Sequence, residues 1–159
     1  AKVVNFSGIY GAGPPKIALT TGMSLQEATL LHKIYWDRNK SVKQIANDCV
    51  VKIIRDQMWL YNPVSGFWYS LRTDKDRFSC LNQGTGVYCF DTHVRNIRNT
   101  GIKISLQYHD EIGFGFLKKD EELIKQKLNK AISETNAELT LNVPLGISID
   151  IGDNYAEAH

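Results

Sequence analysis

The stretch Leu106-Gln107-Tyr108-His109-Asp110-Glu111-Ile112 decides how the rest of the chain is read. Apolar side chains alternate up to it at Ile102, Ile104, Leu106 and Tyr108, with Lys103, Ser105, Gln107 and His109 between or beside them. The alternation resumes at Ile112, Phe114 and Phe116. A period of two broken by a short polar run predicts two strands joined by a tight turn. An imidazole and two carboxylates then stand at a hairpin tip backed by apolar surface. Such a tip can hold a carboxylate oxygen in place for a hard cation. A His-Asp-Glu triplet also occurs in ordinary solvated turns, so taken alone it names no function.

The totals narrow the field. At 159 residues, with 43% hydrophobic and 23% charged content, the chain has the size and composition of one soluble globular domain. No run approaches the length of a membrane-spanning helix. The opening AKVVNFSGIYGAG lacks the charged-then-apolar order of a secretory signal. Nineteen basic and 17 acidic side chains leave a net charge of +2, which does not demand a polyanionic partner, although clustered lysines could make a local track. Cys49, Cys80 and Cys89 are odd in number and lack CxxC spacing, which argues against a zinc site and for a reducing cytosol. Seven tyrosines, six phenylalanines and three tryptophans suit a core, and could also stack on bases.

Taken in order, the chain predicts an α+β fold. Lys2, Phe6 and Tyr10 fall on one helical stripe, ended by Gly11, Gly13, Pro14 and Pro15. Gly8 within that helix costs about 0.5–1 kcal/mol relative to alanine, which implies a close neighbour. Ser24 and Glu27 form a capping box for a helix whose apolar face is Leu30, Leu31, Ile34 and Tyr35. A second helix is expected from Ser41 to Arg55, with Lys40, Lys43, Lys52 and Arg55 on its solvated side. Residues 58–72 read as a hairpin about Asn62-Pro63-Val64-Ser65-Gly66. Val87, Phe90, Val94 and Ile97 mark a helix that Gly101 terminates, with Arg95 and Arg98 off its apolar face. Asp120 is placed to cap a last long helix, with Glu121 and Glu122 in its first turn and Leu123, Ile124, Leu128, Ala131 and Ile132 as its buried side. Leu145, Ile147, Ile149 and Ile151 alternate as a final strand.

Three stretches, in this order, resemble the family A DNA polymerases, the group of bacterial polymerase I and several bacteriophage replicases. Lys2-Val3-Val4-Asn5-Phe6-Ser7-Gly8-Ile9-Tyr10-Gly11 resembles the second half of motif B, the fingers helix that receives the nucleotide. Gln83-Gly84-Thr85 resembles the start of the palm helix that touches the primer–template. Leu106 to Glu111 resembles motif C. The Tyr10-Gly11-Ala12-Gly13 run and the terminal Tyr155-x-x-x-His159 lean towards a phage replicase.

The resemblance implies part of a right-hand polymerase fold, with residues 1–57 in the fingers and 58–159 in the palm. It implies template-directed addition of deoxynucleoside triphosphates to a primer 3′ end on DNA, by nucleotidyl transfer with two Mg2+ ions. In that frame Asp110 is the metal ligand. Glu111 supports the primer end, since neighbours on a regular strand point to opposite faces. His109 touches the primer terminus. Lys2 holds the triphosphate and donates a proton to the departing pyrophosphate. Phe6 packs on the nucleotide sugar and base, which implies poor acceptance of dideoxynucleotides. Tyr10 floors the insertion site, and Gln83 reads acceptors in the minor groove that all base pairs share.

The departures are Ser7, where the family has glycine, and Ser79, where it often has asparagine, with Lys75 or Arg77 as a nearby basic substitute. A second metal-binding carboxylate belongs to motif A, and Asp48, Asp91, Asp150 and Asp153 lack its context. The expectation is a C-terminal polymerase piece, from a split gene or from cleavage. It would be inactive alone and complemented by an N-terminal piece that carries motif A. An apolar surface would await that piece, and a processivity factor could join. Its place would be the cytoplasm, of a host cell if phage-encoded. Two other readings compete. A catalytically inactive polymerase-derived DNA- or protein-binding module would not need Lys2, Phe6, Tyr10, Gln83, His109 and Asp110 together. A phage-type RNA polymerase is disfavoured by Glu111 after His109-Asp110.

Overall fold

The computed structural model describes residues 8–158, which form a mixed α+β fold. The chain divides into two compact units, one ending at Gly86 and the other beginning at Val87.

In the first unit, the helical turn at Gly8-Ile9 ends at Gly11, whose φ of +72° suits glycine. The close neighbour expected at Gly8 is Tyr35: a Cβ there would stand 2.4 Å from its ring. The helix ends in this run as expected, but Pro14 and Pro15 also open a new one, α1 (Pro14–Thr21), with Gly13 as its N-cap. A missing N–H and a fixed φ suit the first helical turn, which explains the difference. The capping box forms as expected at the head of α2 (Leu25–Arg38), Glu27 N–H donating to Ser24 Oγ at 3.3 Å and Ser24 N–H to Glu27 Oε2 at 2.9 Å. The buried stripe of α2 is Ala28 and Tyr35, whereas Leu30 and Ile34 are exposed. Ala28 meets Ala12 and Ile17 in a small core.

The helix expected to reach Arg55 stops early, as α3 (Lys40–Asp48). Strand β1 (Val51–Ile54) follows, then β2 (Gln57–Tyr61) and β3 (Trp68–Leu71), antiparallel in the order β1-β2-β3. Val51, Ile53 and Ile54 fit a helix period and a strand equally. Their β-branches favour extended backbone, and pairing with β2 settles the choice. Arg55 and Asp56 both take positive φ, +50° and +63°, which is the pattern of a type I′ hairpin turn built without glycine. The β2–β3 hairpin is the expected one, in register Tyr61↔Trp68 and Leu60↔Tyr69.

A 3-10 turn (Asp74–Asp76) leads into α4 (Arg77–Asn99), which starts well before Val87 and runs past the division between the units. Val87 is exposed rather than buried, while Cys89, Val94 and Ile97 face inward. In the second unit, Gly101 at φ +87° ends α4. Strands β4 (Leu106–Tyr108) and β5 (Glu111–Gly113) form the expected hairpin, Tyr108 opposite Glu111. Helix α5 (Glu121–Leu139) has Asp120 at its N-cap without a side-chain cap bond, because a 3-10 turn (Lys118–Asp120) feeds straight into it and Glu121 N–H donates to the Lys118 carbonyl. Leu123, expected to be buried, is exposed.

The core of this unit is Ile97, Ile102, Leu128 and Ala131, with Ile104, Ile112, Phe114, Ile124, Ile147 and Ile149 packed against it. The final strand does not form. Ile147 and Ile149 keep the alternation and are half-buried, but residues 145–151 join no sheet among the described residues. The Asn136 side chain replaces a strand neighbour instead: its Nδ2 donates to the Leu145 carbonyl at 2.9 Å and its Oδ1 accepts the Leu145 N–H at 2.7 Å. The short α6 (Tyr155–Ala158) ends the described chain. No helix among the described residues is long and apolar enough to cross a membrane.

Candidate active site: a hairpin tip and an anchored helix

The β4–β5 hairpin positions the acidic residues through its apolar residues. Ile104, Ile112 and Phe114 pack into the core around Ile97 and Leu128, and Ser105 N–H donates to the Gly113 carbonyl at 2.9 Å. The two-residue turn between Tyr108 and Glu111 is His109-Asp110. His109 has φ +51°, a left-handed conformation that glycine adopts freely and a β-carbon resists. The Tyr108 ring meets the His109 imidazole edge-on, centroids 4.3 Å apart. Asp110 is exposed and Glu111 half-buried. The tip therefore offers one carboxylate to solvent on a strained turn held from below. Among the described residues no group of three His, Cys, Asp or Glu could hold a metal ion by itself. A single hard oxygen donor at Asp110 fits one ligand of a magnesium ion, which usually takes few protein ligands.

Gln83 lies in the other unit, exposed on α4. Its two neighbours hold that turn of helix against the β2–β3 hairpin. A Cβ on Gly84 would stand 3.0 Å from the Tyr69 ring, so the helix backbone lies close against β3. Thr85 Oγ1 accepts from Asn62 Nδ2 at 2.9 Å and donates to the Leu81 carbonyl at 2.8 Å. Asn62 is fully buried, and its Oδ1 accepts the N–H of Val64 at 2.9 Å and of Ser65 at 3.3 Å. One amide thus ties the hairpin turn to the helix that presents Gln83. The sequence places Asn62 at the start of the turn and gives it no further role. Its role as an anchor had no signal in the sequence, because the partner Thr85 is distant along the chain.

Among the other residues, Tyr10 is 47% exposed just after the Gly8-Ile9 turn. Lys2, Phe6 and Ser7 lie outside the described residues. Ser79 is half-buried, its hydroxyl donating to the Asp76 carbonyl at 3.0 Å. Arg77 is engaged with Asp74, while Lys75 is exposed. Behind the tip, α4 and α5 are joined by polar contacts. Arg95 pairs with Glu138. Thr135 Oγ1 donates to the Ala131 carbonyl at 2.7 Å and accepts from Asn96 Nδ2 at 3.1 Å. With that proton committed, His93 Nδ1 must be the donor across its 3.2 Å contact with the same oxygen. Burial holds the His93 imidazole below its usual pKa.

No family model matches the chain. Two proteins named DNA polymerase I, from Helicobacter pylori strains 26695 and J99, are each 24% identical to it over 173 aligned residues. The alignments cover 99% of this chain and 19% of each relative, so the chain spans about a fifth of the length of the relatives it matches. Along almost all of its length, then, the chain is distantly similar to bacterial DNA polymerase I.

Proposed function

We propose that this chain is part of a family A DNA polymerase and carries the motif C carboxylate of its active site. The reading takes residues 1–57 as the later part of the fingers and 58–159 as the later part of the palm. The observation that carries it is the β4–β5 hairpin: His109-Asp110 at a two-residue tip, rooted in the core by Ile104, Ile112 and Phe114. The similarity to DNA polymerase I along the whole chain supports it. So does the Gln83-Gly84-Thr85 run, seated on a buried amide.

In this reading Asp110 is the one carboxylate that the chain contributes to magnesium. When bound, the metal stabilises charge on the oxygens of the nucleotidyl transfer. The chain's own residues do the rest. Asp110 supplies a fixed negative oxygen, and Glu111 and His109 position the primer end. Gln83 donates to minor-groove acceptors common to all base pairs. Lys2, Phe6 and Tyr10 receive the incoming deoxynucleotide. None of Asp48, Asp91, Asp150 and Asp153 lies on a strand of the motif A kind, and in this reading the second carboxylate comes from a polypeptide segment with motif A.

The test is primer extension with purified protein. The 159-residue chain alone should incorporate nothing, and adding a segment that supplies motif A should restore template-dependent, Mg2+-dependent extension. Incorporation by the chain alone, or none from the mixture although the two bind, would refute the reading.

A further inference from the structure

The two faces of the β1-β2-β3 sheet differ in kind. Register puts Val51, Ile53, Met58, Leu60, Tyr69 and Leu71 on one side, where Leu60 and Leu71 are buried, Tyr69 meets Gly84 of α4, and Ile53 at the strand end is exposed. The other side carries Lys52, Ile54, Gln57, Trp59, Tyr61, Trp68 and Ser70, none of them buried. Single apolar residues scattered over a solvated face are ordinary. This one sets three aromatic rings in adjacent rows. Tyr61 and Trp68 lie 5.2 Å apart, and the Lys52 ammonium sits 3.6 Å over the Trp68 ring. The side chain of Arg72, just past β3, is 91% exposed, with Asp76 a distant 3.9 Å away. The face has no carboxylate among its residues, so its charge complements a polyanion. Rings that every base can stack on, beside cations that meet phosphates, are the general means of holding an unpaired strand without reading its sequence.

We propose that this outer sheet face binds single-stranded DNA, with bases stacked on Trp59, Tyr61 and Trp68 and phosphates at Lys52 and Arg72. The site shares no residue with the hairpin tip, and it rests on the polymerase reading only in the choice of DNA over RNA.

The experiment titrates the full chain with oligo(dT) of about twelve nucleotides, without primer or nucleotide, and follows tryptophan fluorescence. An inactive chain still binds in this assay, so failure of the polymerase reading leaves the result interpretable. Saturable quenching is expected, weaker with oligo(U) of equal length. Trp68→Leu should weaken binding about tenfold. Lys52→Gln should weaken it less and lower the salt slope by about 0.7. Circular dichroism checks that both variants are folded, and Lys52→Gln, which removes a half-exposed charge and its contact with the Trp68 ring, carries the test if Trp68→Leu is not. The proposal is overturned by an absence of saturable quenching, by folded variants that bind like the parent, or by tighter binding of oligo(U).

Discussion

The two hairpin tips of this protein are both polar, yet they are built in opposite ways. At the β2–β3 turn, Asn62 is fully buried and each polar atom of its side chain has a partner, reaching as far as Thr85 on α4. At the β4–β5 turn, His109 and Asp110 stand in solvent, and His109 takes a φ that disfavours it. The first spends its polarity on the fold. The second keeps its carboxylate exposed and is held by apolar residues in the strands beneath. A polar turn residue that the fold has fully satisfied is structural, and one left outward on an anchored hairpin is available for chemistry.

The largest effect that tests this contrast, on the proposed polymerase reading, is Asp110→Asn in the chain complemented with a motif A segment. Primer extension should fall about a thousandfold, equivalent to roughly 4 kcal/mol, while urea-unfolding stability changes by less than about 0.5 kcal/mol. A variant that still extends primers removes Asp110 from the metal site. Asn62→Leu should do the reverse. It strands the Val64 and Ser65 N–H groups and should cost about 2–4 kcal/mol of stability in urea unfolding. A neutral result would mean the buried amide anchors nothing. His109→Gly relieves the left-handed backbone and should stabilise by about 0.5–1 kcal/mol, net of glycine's greater freedom when unfolded. Destabilisation would mean that the contact with Tyr108 outweighs the strain.

The smallest effect extends the contrast to a half-buried polar group outside both turns. The folded state holds His93 below its usual 6.5, so the unfolded chain takes up the proton first. Stability should then be full above that value and decline as pH falls from about 6.5 towards the folded pKa. His93→Gln should flatten that decline in thermal melts between pH 7 and pH 5. An unchanged slope would assign the acid sensitivity to other groups.

Much of this was legible from local chemistry. The capping box of Ser24 and Glu27, the close neighbour of Gly8, and both hairpins follow from residue types at short spacing, and all are present. Misreadings arose where two local rules applied to the same residues. Pro14 and Pro15 can end a helix or begin one, and Val51 to Ile54 fits either period. At Leu145 to Ile151 the alternation correctly gives the side that packs, with Ile147 and Ile149 against the core, but alternation cannot supply a neighbouring strand. Leu30, Leu123 and Val87 were expected on buried helix faces, yet each remains more than half exposed.

By itself, then, the sequence determined where the proposed site residues fall: a His109-Asp110-Glu111 tip between alternating apolar strands, and a Gln83-Gly84-Thr85 run on a helix. Those depend on side-chain type and on periods of two or 3.6, which are local properties of a chain. The tertiary structure alone decided what holds them. Asn62 reaching Thr85, Tyr69 against Gly84, and Asn136 standing in for a strand beside Leu145 are pairings set by three-dimensional packing. A buried polar atom takes whatever partner folding brings within about 3 Å, and no spacing rule encodes which one that will be.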